Sequence, residues 1–286
     1  MIKIKQLTDT SFETIHRAFA NAFSDYVEPF DLTLEQLKYM VERRGCNLEL
    51  SFGAFSDNEL VGLTLNGIGS WNGELTAYDS GTGVIKEYRK QGIATRMFNE
   101  SLPVLRENNI TQYLLEVIKS NTSAYKLYKK AGFKVCRELD YYKTEKAKIG
   151  LLEFEESNGI DIKTITKPDW ELFKSFWDFY PSWQNSIDSI NRKIEHFDIL
   201  GVFEQSKIIG YGIIEKHTGD IPQLAISESK RRKGFATKLF YSLLDKTSSE
   251  HIKIINTDNV YEPFKHYAEK LGIPDGIGQY EMILKI

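Results

Sequence analysis

The feature that most constrains this chain is a short basic turn that occurs twice. Arg89-Lys90-Gln91-Gly92-Ile93-Ala94-Thr95 and Arg231-Arg232-Lys233-Gly234-Phe235-Ala236-Thr237 share the form Arg-x-x-Gly-x-Ala. Gly92 and Gly234 stand 142 positions apart, close to half of the 286 residues. Behind each turn come a helical pattern, a strand, a second helix and another glycine, Gly132 (40 positions on) and Gly272 (38 positions on). The economical explanation is an internal duplication of a whole domain. A chain of this length suits two domains of roughly 140 residues each. The expected division is a first domain over 1–145, a polar linker without period over 146–159, and a second domain over 160–286.

Small residues in such a turn let successive backbone N–H groups converge on an anion with no Cβ in the way. The helix that follows adds the positive end of its dipole and its unsatisfied N–H groups. Arg89 and Lys90 add positive charge at the rim, read as mobile. Together these features form a site for a phosphate or pyrophosphate, and the second turn repeats them.

These residues resemble the GNAT superfamily of acyl-CoA-dependent N-acyltransferases, whose hallmark turn is Arg/Gln-x-x-Gly-x-Gly/Ala. A second signature supports the likeness: Leu115-Glu116-Val117, Asn121, Ala124 and Leu127-Tyr128-Lys129-Lys130-Ala131-Gly132-Phe133. The resemblance covers the chain as two tandem copies, closely in the first and loosely in the second. It implies an α+β fold: a mixed, mostly antiparallel sheet with flanking helices, twice over. It also implies acetyl-CoA (CoA) as the acyl carrier and a small-molecule or peptide amine as acceptor. The CoA-binding positions carried over are Gly83, Val84, Ile85, Arg89, Lys90, Gln91, Gly92, Ile93, Ala94, Thr95 and Asn121 in the first copy. In the second they are Leu224, Ala225, Ile226, Arg231, Arg232, Lys233, Gly234, Phe235, Ala236 and Thr237.

Acyl transfer from a thioester needs a neutral amine, a donor for the oxyanion and a proton for the departing thiolate. In the ribosomal-protein N-acetyltransferases that the first copy resembles, a glutamate and a tyrosine serve as base and acid. Glu116 and Tyr128 stand at that spacing, twelve positions apart. The resemblance gives Glu116 the base role and Tyr128 the acid role. Packing of Tyr128 in a cleft wall, with Glu116 paired to a lysine, is the structural alternative. The second copy lacks this pair, because alignment on Gly132 and Gly272 places Asn256 and Ala268 at the two positions. Tyr267 is one position away, so a slip of one residue restores a tyrosine. The expectation is that the first copy catalyses, while the second binds CoA or serves as scaffold and part of the acceptor pocket. A catalytically silent acyl-CoA-binding protein is the competing function.

Along the chain, the periodicity predicts a strand over 2–6, a helix over 11–22 capped by Asp9 or Thr10, and a helix from Thr33 to a stop at Gly45. The connection between these helices holds Asp25, Tyr26 and Glu28, which are either packed loop residues or acceptor contacts. Gly81 and Gly83 weaken a strand unless something needs the space. Either a bulge or a pantetheine arm alongside Gly83, Val84 and Ile85 accounts for them. In the second copy Pro168-Asp169-Trp170 opens a helix carrying Trp170, Phe173, Phe176, Trp177 and Tyr180. These aromatics and the turn through Asn185 are either core or a binding wall. The last strand is expected over 282–286, closing the second copy.

The remaining properties exclude more than they assign. A net charge of −3 gives no general electrostatic case for nucleic acid. Two cysteines make a disulfide framework unexpected, and no apolar run approaches the ~18 residues of a membrane span. The five histidines form no ligand spacing, so no metal is expected. The start of the chain lacks a signal pattern, so the reading is a cytoplasmic monomer or homodimer.

Overall fold

A computed structural model describes residues 1–26, 31–152 and 159–286. The chain divides into two compact units. Unit 1 comprises Met1–Cys136 with Tyr280–Ile286, and unit 2 comprises Arg137–Gln279.

Unit 1 begins with β1 (Lys3–Gln6) and two helices, α1 (Phe12–Phe23) and α2 (Leu34–Arg43). Ser11, not Asp9 or Thr10, caps α1, accepting from the Thr14 N–H at 3.3 Å. Thr33 and Gln36 form a reciprocal capping box on α2, and Gly45 ends it in the left-handed region. α1 is amphipathic and buries Ile15, Ala18, Phe19, Ala22 and Phe23. Next come β2 (Phe52–Ser56), β3 (Glu59–Trp71), β4 (Glu74–Val84), α3 (Ile93–Glu107), β5 (Gln112–Ile118) and α4 (Thr122–Lys130). β1 to β4 are antiparallel neighbours, whereas β5 pairs parallel to β4 only over Thr76–Asp79. Beyond Asp79 the two strands no longer pair.

Unit 2 takes β6 (Lys134–Glu145) from Arg137 onward, then β7 (Ile160–Thr164), α5 (Trp170–Lys174) and α6 (Ile187–Asn191). It continues with β8 (Phe197–Glu204), β9 (Lys207–Glu215), β10 (Gln223–Ile226), α7 (Phe235–Leu244), β11 (His251–Asp258) and α8 (Glu262–Lys270). β7 to β10 form an antiparallel sheet, and β11 pairs with β6. α5 stops at Lys174, so the long aromatic helix expected from the sequence is one short turn. Phe173 and Phe176 enter the core, while Trp177 and Tyr180 lie beyond the helix.

The final strand, β12 (Gln279–Lys285), does not close unit 2. It lies beside β5 in unit 1, where Met282 is fully buried against Tyr113, Leu115 and Phe133. The strand following α4 therefore serves unit 2, and the strand following α8 serves unit 1. Each unit obtains its last strand from the other's stretch of sequence, which moves both boundaries away from the expected 1–145 and 160–286. An antiparallel strand's own alternation specifies which face it buries, not which edge it joins. No helix among the described residues is long and apolar enough to cross a membrane.

Candidate active site

The two basic turns fold alike. Lys90 and Gly92 hold φ at 62° and 74°, and Arg232 and Gly234 hold it at 63° and 77°. Alternating left-handed residues turn neighbouring N–H groups toward one side, which makes a concave anion nest. Among the described residues no side chain caps α3 or α7, so their first N–H groups remain for a ligand. A Cβ built on Gly92 meets nothing within 4 Å, so the loop mouth is open. Ile93 and Phe235 bury their side chains in the two cores, which leaves only their main chain for a ligand.

Arg89 and Arg231 are not mobile rim charges. Arg89 Nε donates to the Val84 carbonyl at 2.9 Å, and its two terminal nitrogens reach Ala22 O at 2.9 Å and both Asp25 oxygens at 2.7 and 2.8 Å. Arg231 repeats the pattern on Ile226 O (2.9 Å), Phe176 O (3.4 Å) and Asp178 (2.7 Å). The planar guanidinium fork suits this bracing of loop to helix better than a lysine does. Asp25, a candidate acceptor contact, is thus held in the clamp. Its carboxyl is kept below the usual range by the Arg89 bond. Glu28 lies outside the described residues.

The expected bulge is present beside Gly81, and α1 adds a second cause for both glycines. A Cβ on Gly83 would come within 2.9 Å of both Ala22 and Phe23, and one on Gly81 within 3.2 Å of Phe19. The space is needed by α1. In the β3–β4 ladder Leu65 pairs with Gly81 and Asn66 with Asp79, so Ser80 is the extra residue and the bulge is on β4 itself.

Where β4 and β5 cease to pair, unit 1 concentrates ionisable groups. The Tyr128 hydroxyl donates to Asp79 Oδ2 at 3.1 Å, and the Thr82 hydroxyl donates to the same oxygen at 2.8 Å. The Gly81 N–H donates to Asp79 Oδ1 at 3.0 Å. Burial pushes the Asp79 carboxyl above the usual range, against the opposing pull of the Thr82 and Tyr128 bonds. Burial, then the Asp79 charge, lifts the Tyr128 phenol well above its ordinary value. Tyr26 reaches the same cluster: burial raises its phenol despite a bond to Asn121, and the Asp79 charge adds to the rise. Asn121 itself caps α4, accepting from the Ala124 N–H at 3.1 Å.

Glu116 lies across β5 from Tyr128. Tyr113, Leu115 and Val117 share a cluster with Tyr128, so the alternate residue Glu116 takes the other face. There it accepts the Tyr78 hydroxyl at 3.1 Å. Tyr78 and Asp79, consecutive on β4, thus serve opposite faces. The sequence reading did not assign either a role. A tyrosine and an aspartate beside a glycine-broken strand end were the only signal for them.

The hydrogen bonds also set the register between the units. Phe133 N to Tyr128 O (3.0 Å) matches Ile273 N to Ala268 O (2.9 Å), and Asn121 N to Ile118 O (2.9 Å) matches Tyr261 N to Asp258 O (3.0 Å). Tyr267 therefore corresponds to Leu127, and no slip restores a tyrosine. β11 bulges at Asn256, so Ile255 and Asn256 together fall at the place of Glu116 and neither is acidic, and the loop register places Ile221 at Asp79. Unit 2 instead holds a cavity of about 730 Å³ reached by Gly234, Ala236 and Thr237, with Leu224 to Ile226 along one wall. Trp177 and Asn185 line it, so that stretch is partly wall and not only core. Deep in it Trp177 Nε1 donates to the Tyr211 hydroxyl, which donates to Gln223 Oε1, both at 2.6 Å, while Asp178, Lys230, Arg231, Arg232 and Lys270 bring charge to its lining. Burial raises Tyr261, in the position of Asn121, to about 12.

Comparison with known proteins agrees with this geometry. The acetyltransferase (GNAT) family model matches residues 12–133, and an acetyltransferase (GNAT) domain model matches residues 172–265. N-alpha-acetyltransferase 30 of Schizosaccharomyces pombe is 31% identical over 96 residues, which is 33% of this chain and 63% of that protein. N-alpha-acetyltransferase MAK3 of Arabidopsis thaliana is 30% identical over 94 residues, 33% of this chain and 50% of that protein. The matches thus span about half to under two thirds of these relatives' own length. Among solved structures, a tandem GNAT protein from the clavulanic acid biosynthesis pathway superposes with a TM-score of 0.73 at 13% identity, covering 100% of this chain and 98% of that one. A GCN5-related N-acetyltransferase from Sphaerobacter thermophilus gives 0.74 at 15% identity, covering 99% and 95%. At those identities the structures speak to fold alone. With one family match in each half and the same loop built twice, the chain belongs to the GNAT family as a tandem two-domain member.

Proposed function

We propose that the protein is an N-acetyltransferase that moves the acetyl group of acetyl-CoA to a primary amine, with the chemistry in unit 1. The observation that carries this reading is the contrast between the units. Both keep the braced loop, but only unit 1 has Asp79, Glu116 and Tyr128, where unit 2 has Ile221, Ile255 with Asn256, and Ala268. A peptide N-terminus is the favoured acceptor, because the matched relatives are N-alpha-acetyltransferases; a small-molecule amine is the other.

In this reading the nest of Lys90 to Thr95 holds the CoA phosphates, with Arg89 bracing it from behind. Glu116 takes the amine proton from one face of β5, and Tyr128 protonates the departing sulfur from the other. A phenol lifted well above its ordinary value stays protonated at neutral pH, as a general acid must. Unit 2 binds CoA at its own loop without turnover, or supports unit 1 as scaffold. The cationic Lys230, Arg232 and Lys270 in the lining of its cavity favour holding an anionic ligand over transferring a proton.

The test is thiol release from acetyl-CoA against a panel of short peptides with free and with blocked N-termini. Tyr128→Phe should lower kcat by about 100-fold or more and Glu116→Gln by about 10-fold or more. CoA binding by the wild type without thiol release from any amine would instead favour a silent acyl-CoA-binding protein.

A further inference from the structure

The two units provide an internal control for which polar groups serve the loop and which serve the cleft. The arginine clamp occurs in both, so the loop requires it. Asp79 is replaced by Ile221 in a unit whose loop and helix nevertheless form with the same bonds. The loop therefore does not need Asp79, which is lost together with the two proton-carrying residues. Its carboxylate is nine-tenths buried, with three donors on it: Tyr128 Oη, Thr82 Oγ1 and the Gly81 N–H.

That arrangement poses a problem for Tyr128 as a lone acid. Its O–H is directed at Asp79 and not at a leaving group. Giving the proton away would leave a phenolate 3.1 Å from a carboxylate, two like charges in a place that water screens poorly. Both difficulties vanish if Asp79 carries a proton when the sulfur departs.

We infer that Asp79 is the proton store behind Tyr128. As the C–S bond breaks, the Tyr128 O–H proton passes to sulfur and the Asp79 proton passes to the Tyr128 oxygen. One O–H bond on Asp79 is broken, one S–H bond is made, and Tyr128 ends as it began. The amine loses one N–H proton to Glu116 on becoming an amide, Glu116 releases that proton to solvent, and solvent returns an equal proton to Asp79, so protons and charge close over a turnover. Burial, which lifts the Asp79 carboxyl, favours this reloading. Asp79 acts through Tyr128, so it is a positioning residue. The inference rests on the acetyltransfer reading of unit 1.

Thiol release from acetyl-CoA is measured for the wild type, Asp79→Asn, Tyr128→Phe and the double variant, with CoA binding followed by calorimetry. The acceptors are the best peptide of the panel and, separately, water. Asparagine keeps an acceptor for the Gly81 N–H but cannot store the extra proton. Asp79→Asn should lower kcat about 10- to 100-fold with both acceptors, leaving the KM for acetyl-CoA and the CoA affinity within about twofold. The double variant should be no slower than Tyr128→Phe, because one relay can be broken only once. A kcat for Asp79→Asn within about threefold of wild type, or two effects that multiply, overturns the relay. So does loss of CoA binding in Asp79→Asn, which would make the carboxylate a prop of the fold. A wild type that releases no thiol with any peptide or with water sinks the acetyltransfer reading, and this inference with it.

Discussion

Replacing Arg89 separates a brace from a phosphate ligand. In the structure the guanidinium bridges the end of β4 to the end of α1 through the Val84 and Ala22 carbonyls, each at 2.9 Å. Net values of about 1.5–3 kcal/mol apply to a hydrogen bond from a charged group. With the Arg89 side chain 35% exposed, about 1 kcal/mol per carbonyl is the appropriate discount. The Asp25 pair is solvent-facing and is left out of the sum. Arg89→Ala should then destabilise unit 1 by about 2 kcal/mol, which for a unit of roughly 140 residues lowers Tm by about 8 °C. Arg89→Lys should lose nearly as much, since an ammonium cannot span two carbonyls and a carboxylate at once. Calorimetry gives the shift, and amide exchange read by mass spectrometry should show the loss of protection confined to residues 20–26 and 84–92. CoA affinity should fall in parallel in both variants, because the nest is held from behind. The reasoning fails if Arg89→Lys behaves as wild type in both stability and affinity. It also fails if Arg89→Ala keeps full exchange protection but no longer binds CoA, since the guanidinium would then touch the ligand itself.

Three further outcomes are expected. Gly92→Glu and Gly234→Glu each place a carboxylate in a nest that presents N–H groups, so each should abolish CoA binding at its own loop; titration calorimetry counts the sites, and a single substitution that removes both would contradict independent loops. Tyr267→Phe should leave thiol release within about twofold of wild type, since its position matches Leu127; a 10-fold loss in the same assay would reopen the slipped register. Because burial raises the folded-state Asp79 carboxyl above its unfolded value, its favourable contribution is present below about pH 4 and lost as pH rises through the raised value. Thermal melts should accordingly show Asp79→Asn more stable than wild type at pH 7.5, with the gap closing toward pH 4. A gap that stays constant with pH would mean that Asp79 does not titrate differently in the fold.

Much of the site was legible because it is made of local geometry. The left-handed turn, the glycine before the helix and the absent cap are consequences of a seven-residue string, so the string was enough to find them twice. Glu116 and Tyr128 could be proposed from the family resemblance, because they stand at its spacing on one strand and the next helix. Asp79 and Tyr78 could not, because their partners lie 49 and 38 positions away on other elements. The clamp was misread for a similar reason. Arg89 looks like surface charge until α1 brings Asp25 and the Ala22 carbonyl to it across more than sixty residues.

The sequence by itself determined the duplication and the α+β class, and it pointed to two anion nests and to a second copy without the proposed acid–base pair. Each depends on residue type at fixed local spacing, which backbone sterics and helix periodicity convert directly into structure. Tertiary structure alone decided which edge each closing strand joins, what fills the space beside Gly81 and Gly83, and which carboxylate faces Tyr128. Those outcomes depend on what the folded chain places opposite a residue. Strand alternation names the face a side chain takes and leaves its neighbour to the packing.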